Sequence, residues 1–292
     1  MELKGVFTAL VTPFDQGILQ LETYRYLCKR QLTNGISGLV PCGTTGETPT
    51  LSKEEWESCI RCAVEVAQKE GVSQGRKFPV IAGCGTNATH STVENIELAK
   101  KIGADAALVV FPYYNKPNPK GLIAHVEAAC SVGIPIVLYH VPGRTGQRLS
   151  AKMLAQLCRI DGVVALKEAT GDVSLGQELL NALSDTEVDI LSGDDFTYAA
   201  LTSMGFSGVI SVLSNPAPRL SVDWYEAADQ GDISKLRELR KSLLPLTAEL
   251  FEYTNPLPCK ALMSEMGLLK NEARLPLVAV QWQGATDPNT LH

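Results

Sequence analysis

The amino-acid sequence predicts a (β/α)8 TIM barrel followed by a C-terminal helical extension. Short aliphatic runs recur along the chain, an amphipathic stretch follows each run, and there are eight such units. The length of 292 residues lies within the range of one α/β barrel with a few additional helices. Regular alternation of strands and helices favours parallel pairing through right-handed crossovers, and eight units can close a barrel.

The eight predicted strands are rich in Val, Ile and Leu, which is typical of strands that are buried on both faces. They span residues 5–11, 36–41, 78–82, 106–111, 134–139, 163–166, 188–191 and 208–212. Helical patterns lie between and after them, at 22–32, 92–102, 121–131, 151–158, 175–183, 195–204 and 218–230. One more helix is predicted to begin at Lys53, because Ser52 can cap it and Glu54 and Glu55 favour the positive end of its dipole.

Two further helical patterns, at 233–253 and 258–267, follow the eighth unit. We therefore assign the barrel to residues 1–230 and the helical extension to 231–292, since no low-complexity run or long linker divides the chain. An open doubly wound sheet uses the same alternation and is the alternative architecture. The absence of an obvious switch point in the strand pattern favours the barrel.

Charge and composition point to a small-molecule partner. The net charge of −6 and the pI near 5.4 disfavour nucleic acid and anionic membranes, which both attract basic patches. The N-terminal stretch has no basic segment leading into an apolar one, and no apolar run has the length of a membrane span. We therefore expect a cytoplasmic protein.

Cysteines and histidines give no sign of a metal site. The eight cysteines do not form a disulfide scaffold, and Cys59-Ile60-Arg61-Cys62 lies inside a predicted helix with no second pair, so helix packing explains it. The four histidines, at positions 90, 125, 140 and 292, are dispersed. We expect neither a metal nor another cofactor.

In a barrel, residues at the carboxyl ends of the strands form the active face. Nearly every predicted strand ends in a glycine or a hydrogen-bonding residue. These ends are 43–47, 83–87, 112–115, 139–144, 167–168, 193–195 and 211–215. This concentration on one rim indicates a barrel enzyme.

Lys167 stands out because it ends a buried aliphatic run. A lysine amine held in an apolar wall is a candidate Schiff-base nucleophile, since burial disfavours its charged form. The alternative is a lysine at a strand end whose stem is buried and whose head lies in water.

Other rim residues supply complementary groups. The turn Gly43-Thr44-Thr45-Gly46 can direct backbone N–H groups and hydroxyls toward a carboxylate or phosphate; the alternative is an ordinary capped βα turn. Tyr114 and Tyr139 could pass protons if a hydroxyl such as that of Thr45 links them; otherwise they anchor loops. Arg144 suits a bidentate grip on a carboxylate, or a surface ion pair.

A rival signal is the GxGxxA pattern of residues 83–88, with Asp105 further along. It would indicate a dinucleotide site and an oxidoreductase. A barrel rim also requires glycines, and hydride transfer would leave the other rim residues without a role. We therefore favour a single mechanism in which a keto acid is held by its carboxylate while Lys167 attacks its carbonyl. The resulting imine would lose a proton to give an enamine that adds to an aldehyde.

With these residues the chain resembles the dihydrodipicolinate synthase family, within the wider group that includes N-acetylneuraminate lyase. The likeness extends from the stretch 5–14 to Asn255-Pro256-Leu257-Pro258-Cys259-Lys260. It implies that Lys167 forms a Schiff base with pyruvate, and that Thr44 and Thr45 bind the pyruvate carboxylate. Thr45, Tyr114 and Tyr139 resemble the proton relay, and Arg144 resembles the residue that takes the carboxylate of aspartate semialdehyde. Gly193 and Ile210 match backbone positions that line the site.

The resemblance implies condensation of pyruvate with aspartate 4-semialdehyde to 4-hydroxy-tetrahydrodipicolinate, in diaminopimelate and lysine biosynthesis. It also implies a homotetramer, built from tight dimers in which Tyr114 crosses to the neighbouring subunit. Arg144 separates the chain from sialic-acid lyases, which lack this arginine. Another pyruvate-dependent aldolase, such as a sialic-acid or keto-deoxy-sugar-acid lyase, and a non-catalytic relative are the alternatives.

Departures from the family pattern lie at the rim and in the pocket that binds lysine where feedback occurs. His140 replaces an expected asparagine and could tune the relay or the loop. In the lysine pocket Asn87 and Tyr113 match, whereas Lys53, Trp56 and Ser91 replace two histidines and a glutamate. Loss of that carboxylate removes a partner for the lysine ammonium, so we expect weak or no inhibition by lysine.

Overall fold

The computed structural model describes Met1 and residues 3–291; His292 lies outside the described residues. Its main sheet has eight parallel strands in the order β4-β1-β10-β9-β8-β7-β6-β5. These are β1 Gly5–Ala9, β4 Gly38–Val40, β5 Ile81–Gly83, β6 Ala106–Val110, β7 Ile136–His140, β8 Val163–Glu168, β9 Asp189–Ser192 and β10 Gly208–Ser211. A parallel bridge between Leu39 and Val80 joins the two ends of this order. The sheet is therefore a closed barrel, and all eight predicted strands are confirmed.

Helices surround the barrel in the order that the sequence predicts. They are α1 Leu21–Thr33, α2 Lys53–Gln74, α3 Thr89–Ile102, α4 Pro119–Cys130, α5 Pro142–Thr145, α6 Ala151–Cys158, α7 Val173–Ala182, α8 Tyr198–Met204, α9 Pro218–Asp229, α10 Ile233–Leu250 and α11 Leu257–Glu265. The predicted start of α2 is confirmed in detail. The Ser52 hydroxyl accepts the Glu55 N–H at 3.2 Å, and the Glu55 carboxylate accepts the Ser52 N–H at 2.9 Å.

Three features differ from the prediction. A small hairpin of β2 Phe14–Asp15 and β3 Ile18–Leu19 follows the first barrel strand, and α5 lies between residues 139 and 151, where no helix was predicted. Both are too short to produce a detectable period in the sequence. The C-terminal extension is α-helical only as far as Glu265, and among the described residues that follow only a 3₁₀ turn, Pro288–Thr290, is helical.

Side-chain alternation along the strands determines which residues fill the barrel. Val137 and Ala165 are opposite each other on β7 and β8, and so are Tyr139 and Lys167 two residues further on. Because side chains two apart lie on the same face of a strand, all four point into the barrel. Val137, Tyr139 and Ala165 belong to one buried apolar cluster, and the lysine extends that interior toward the rim.

Asp105 lies at the wrong end of the barrel for a dinucleotide fingerprint. Its carboxylate accepts the Val80 N–H at 3.0 Å, just before β5 begins, and also pairs with Lys77. The glycines of the 83–88 pattern lie where β5 ends, about 10 Å further along at the usual rise per residue. The oxidoreductase alternative therefore loses its acidic residue.

The cysteine pair, Cys59 and Cys62, is buried in the face of α2 that packs on the barrel, as predicted.

The C-terminal extension packs on the last part of the barrel. Leu243, Leu246 and Leu250 of α10 share a buried cluster with Val222 and Tyr225 of α9. The chain then turns back over the rim, so the extension contributes residues to the site as well as to the core. Among the described residues, no helix is both long enough and apolar enough to cross a bilayer.

Candidate active site

A cavity of about 140 Å³ opens at the carboxyl ends of the barrel strands. Seven of the predicted site residues line it: Thr44, Thr45, Tyr139, Arg144, Lys167, Gly193 and Ile210. They come from five different strands or the loops that follow them. Residues that are more than 100 positions apart in sequence therefore meet at one place, as the barrel prediction required.

Lys167 is buried beside Tyr139. Its side chain is 6% exposed, and its Nζ lies 4.2 Å from the centroid of the Tyr139 ring. The two residues are directly opposite each other on β8 and β7, which fixes the amine next to the phenol. A strand-end lysine with its head in bulk water would be far more exposed, so the structure favours the nucleophile over this alternative.

Gly193 makes room for the lysine stem. A Cβ atom placed on Gly193 would lie 2.7 Å from Lys167 Cε and 2.6 Å from the Ala169 Cβ. Both distances are shorter than van der Waals contact, so a side chain at this position would displace the amine. The glycine N–H donates to the Glu168 carbonyl at 2.6 Å, which holds the backbone against β8.

The turn after β4 leaves two N–H groups free for a ligand. Gly46 N–H donates to Gly43 O and Glu47 N–H donates to Thr44 O, each at 3.1 Å. Within the described part of the chain, no hydrogen bond is donated by the N–H groups of Thr44 and Thr45. Both residues line the cavity, so the turn can bind a carboxylate there.

A buried ion pair supports this turn from behind. Lys260 of α11 donates to the Glu47 carboxylate at 2.6 Å and to the Thr12 carbonyl at 2.9 Å. The side chains of Lys260 and Glu47 are each 1% exposed. Burial lowers the pKa of Lys260, and the neighbouring Glu47 carboxylate opposes this shift. No periodic pattern in the sequence indicates this pair, because it joins the second βα turn to the C-terminal extension.

Asn255, also in the extension, contacts two predicted site residues. Its Nδ2 donates to Thr45 Oγ1 at 2.9 Å, and its backbone oxygen accepts from Arg144 Nη2 at 3.3 Å. Because Thr45 Oγ1 accepts this bond, the hydroxyl proton of Thr45 is available to a different partner. In the sequence Asn255 stands out only as part of the motif 255–260, and no local pattern indicates these contacts.

His140 ties the loop that carries Arg144 to the strand that carries Lys167. Its Nδ1 lies 3.2 Å from Glu168 Oε1, and its Nε2 accepts the Leu149 N–H at 3.1 Å. An Nε2 that accepts must be unprotonated, so Nδ1 carries the proton and donates to Glu168. The ring is fully buried. Of the two roles expected for His140, its contacts support the one in the loop.

Asp194, in the rim segment 193–195, also lines the cavity, although its sequence context predicts no particular role for it. Burial raises the pKa of its carboxyl, and the Thr197 hydroxyl, which donates to it at 2.7 Å, opposes this shift. Phe251 of the extension also lines the cavity, and adds an apolar surface.

Tyr114 does not reach the cavity of its own chain. It lies in the loop after β6, its side chain is 90% exposed, and its φ of +72° is in the left-handed region. Of the residues in the predicted lysine pocket, Lys53 is exposed, whereas Trp56 is buried and donates from Nε1 to Gly83 O at 3.0 Å. Asn87 and Ser91 are partly accessible, and Tyr113 is exposed.

The fold and the cavity together define a (β/α)8-barrel enzyme whose site contains a buried lysine. Residues 2–289 match the Dihydrodipicolinate synthetase family. The chain belongs to this family, as the resemblance implied.

Curated relatives and solved structures agree with this membership. The chain is 44% identical over 283 residues to 4-hydroxy-tetrahydrodipicolinate synthase of Nitratidesulfovibrio vulgaris strain DP4, covering 96% of this chain and 94% of the relative. The chloride-inhibited dihydrodipicolinate synthase of Acinetobacter baumannii, solved with pyruvate, is 38% identical with a TM-score of 0.90, covering 96% and 94%. A monomeric dihydrodipicolinate synthase variant is 39% identical with a TM-score of 0.89, covering 95% and 92%.

Proposed function

We propose that this enzyme is a lyase that condenses pyruvate with L-aspartate 4-semialdehyde to give 4-hydroxy-tetrahydrodipicolinate. The observation that carries the proposal is the burial of Lys167 beside Tyr139, in a cavity that also contains the turn of Thr44 and Thr45. The names of the relatives describe the same activity. The reaction belongs to diaminopimelate and lysine biosynthesis.

Lys167 starts the reaction. Its neutral amine attacks the keto carbon of pyruvate, the carbinolamine loses water, and an imine forms. The N–H groups of Thr44 and Thr45 hold the pyruvate carboxylate, and this fixes the keto carbon near the amine. Tyr139 lies against the amine and passes the protons, with the Thr45 hydroxyl as the next group in the relay.

The second half of the reaction joins the two substrates. Loss of a proton from the pyruvate methyl group gives an enamine, whose carbon attacks the aldehyde of the acceptor, and the new alkoxide takes up a proton. The amino group of the acceptor then attacks the imine carbon and displaces the Lys167 amine, which closes the ring and frees the enzyme. Arg144 holds the carboxylate of the acceptor at the mouth of the cavity.

A panel of aldehydes tests the choice of acceptor. Purified enzyme and pyruvate are incubated with aspartate semialdehyde, with N-acetylmannosamine and with short sugar aldehydes, and pyruvate consumption is measured. We expect turnover with aspartate semialdehyde to exceed the others by orders of magnitude. Preferred use of a sugar would instead identify the enzyme as one of the other pyruvate-dependent aldolases.

The exposed Tyr114 completes the relay of a neighbouring copy in a tight dimer, and dimers pair into a tetramer. Its 90% exposure at the same rim supports a role outside its own cavity. Mixing Lys167→Ala and Tyr114→Phe subunits tests this arrangement. In a mixed dimer, the subunit with intact Lys167 receives an intact Tyr114 from its partner, so activity should rise above that of either variant alone. If Tyr114 acts within its own chain, mixing restores nothing.

The eight cysteines agree with an enzyme of the cytoplasm. All of them are free thiols, and seven are buried. Reduced thiols persist in the cytoplasm, so we place the reaction there.

A further inference from the structure

Arg274, in the C-terminal extension, uses every N–H group of its guanidinium within the fold. Nη1 and Nη2 donate to the two oxygens of the Glu55 carboxylate at 2.6 and 2.5 Å. Nη1 also donates to the Thr50 carbonyl at 2.9 Å, and Nε and Nη2 donate to the Gly17 carbonyl at 3.2 and 2.6 Å. Because the five N–H groups of a guanidinium form a rigid planar fork, these three partners fix its position.

The three partners belong to three separate parts of the fold. Gly17 is at the tip of the β2–β3 hairpin, Thr50 closes a 3₁₀ turn, and Glu55 belongs to the capping box of α2. The guanidinium carbon also lies 4.1 Å from the centroid of the Phe14 ring, which packs it against the hairpin. One side chain therefore joins the extension to the hairpin and to the start of α2.

The backbone of Arg274 reaches the turn that binds a carboxylate. Its N–H donates to Glu47 Oε2 at 3.1 Å. Glu47 directly follows this turn, its own N–H donates to the Thr44 carbonyl, and its φ of +55° is in the left-handed region. A residue other than glycine keeps such a conformation only where its surroundings hold it. Arg274 therefore holds the connection 43–55 near its start, through Glu47, and at its end, through Glu55.

We infer that Arg274 is a positioning residue for pyruvate, because it holds the connection 43–55 in the conformation that directs the N–H groups of Thr44 and Thr45 at the pyruvate carboxylate. The inference rests on the proposed function. The described residues that line the cavity do not include Arg274, so it acts through the connection and not on the substrate.

The chemistry of imine formation should depend much less on Arg274 than pyruvate binding does. Lys167 and Tyr139 lie on β8 and β7, across the barrel from β4, where the connection begins. Loss of the guanidinium should therefore weaken the binding of pyruvate and leave the reaction of bound pyruvate almost unchanged. A residue that only stabilises the fold would produce no such separation in an enzyme that remains folded.

The rate of imine formation at increasing pyruvate concentrations tests the inference. Enzyme and pyruvate are mixed, quenched with borohydride at successive times, and analysed by mass spectrometry for the adduct on Lys167. The half-saturating concentration reports pyruvate binding, and the rate at saturation reports the chemistry. Melting temperatures are measured on the same preparations, and all rates are measured well below them.

Arg274→Met keeps the apolar stem against Phe14 and removes the guanidinium. We expect the half-saturating pyruvate concentration to rise about tenfold, while the rate at saturation changes by less than about twofold. Arg274→Lys serves if the first variant does not fold, since it keeps the positive charge and loses the planar fork. Arg159→Met is the matched control, because Arg159 pairs with Asp185 at 2.7 Å on the surface, and it should change neither quantity.

A double variant tests the route through the connection. Glu47→Gln alone should also raise the half-saturating concentration. Because Arg274 acts on the same turn, the double variant with Arg274→Met should raise it by less than the product of the two single effects. Single effects that multiply would show that the two residues act independently, which would overturn the inference.

Two other results would overturn the inference as well. One is a lower melting temperature in Arg274→Met with an unchanged half-saturating concentration, and the other is a rate at saturation that falls as much as binding does. Failure of the proposed function has a different signature. In that case wild-type enzyme would form no pyruvate adduct on Lys167 at any pyruvate concentration.

Discussion

The Lys260–Glu47 pair joins the C-terminal extension to the substrate-binding turn, and the cost of breaking it can be predicted. Both side chains are 1% exposed, and they are joined at 2.6 Å. Lys260→Met keeps most of the apolar stem and removes the ammonium. Among the described residues, the Arg274 N–H, at 3.1 Å, is then the remaining donor to the Glu47 carboxylate, whose side chain is 1% exposed.

Breaking one side of a buried ion pair leaves an uncompensated charge, which costs about 3–5 kcal/mol. For a chain of this size, with an unfolding entropy of about 0.6 kcal/mol/K, we expect the melting temperature to fall by roughly 5–8 °C. The double variant Lys260→Met with Glu47→Gln removes both charges and keeps an acceptor for Arg274. Its loss of unfolding free energy should therefore be about 2 kcal/mol smaller than the sum of the losses of the two single variants.

The assay is thermal unfolding at one fixed protein concentration, because assembly into oligomers would make the midpoint depend on concentration. Lys235→Met is the matched control, since Lys235 pairs with Glu238 at 3.2 Å on the surface. We expect the control to change stability by less than about 1 kcal/mol. The pair does not stabilise the turn if Lys260→Met lowers the free energy of unfolding no more than the control does. The same conclusion follows if the losses of the two single variants simply add in the double variant. Variants that remain folded should also show a raised KM for pyruvate, because Glu47 shapes the turn of Thr44 and Thr45.

Two further predictions concern the second substrate and regulation. Arg144→Ala should lower kcat/KM for aspartate semialdehyde by about a hundredfold, the value of a charge-assisted bidentate contact, while pyruvate still forms its adduct on Lys167. Steady-state rates and adduct mass measured on the same preparation decide this, and equal losses would contradict the role of Arg144. Free lysine should inhibit weakly or not at all, because Lys53 brings a positive charge and Trp56 is committed to Gly83 in the core. Strong inhibition in a steady-state titration would show that the pocket binds lysine in another way.

Much of the barrel and the centre of the site could be predicted from sequence, since both depend on short-range patterns. Runs of buried aliphatics mark the strands, and Lys167 and Tyr139 are polar residues at the ends of such runs. Once eight parallel strands are inferred, closure of the barrel brings those ends together. The helix α5 could not be predicted in the same way, because four residues contain only one turn.

The contacts that hold the site could not be read from local patterns. Asn255 meets Thr45 across 210 positions, and Lys260 meets Glu47 across 213. Neither pair leaves a periodic signal, and their meeting depends on how the extension folds back over the rim. The role proposed for Tyr114 is of the same kind, since a side chain that is 90% exposed in the single chain can complete a site only in an assembly of chains.

Covalent trapping tests the central claim most directly. Enzyme incubated with pyruvate and then borohydride should lose activity and gain the mass of one reduced pyruvate adduct, which peptide mapping places on Lys167. Lys167→Arg, treated in the same way, should gain no adduct. A label on another residue, or unchanged mass in the wild-type enzyme, would contradict the Schiff-base mechanism.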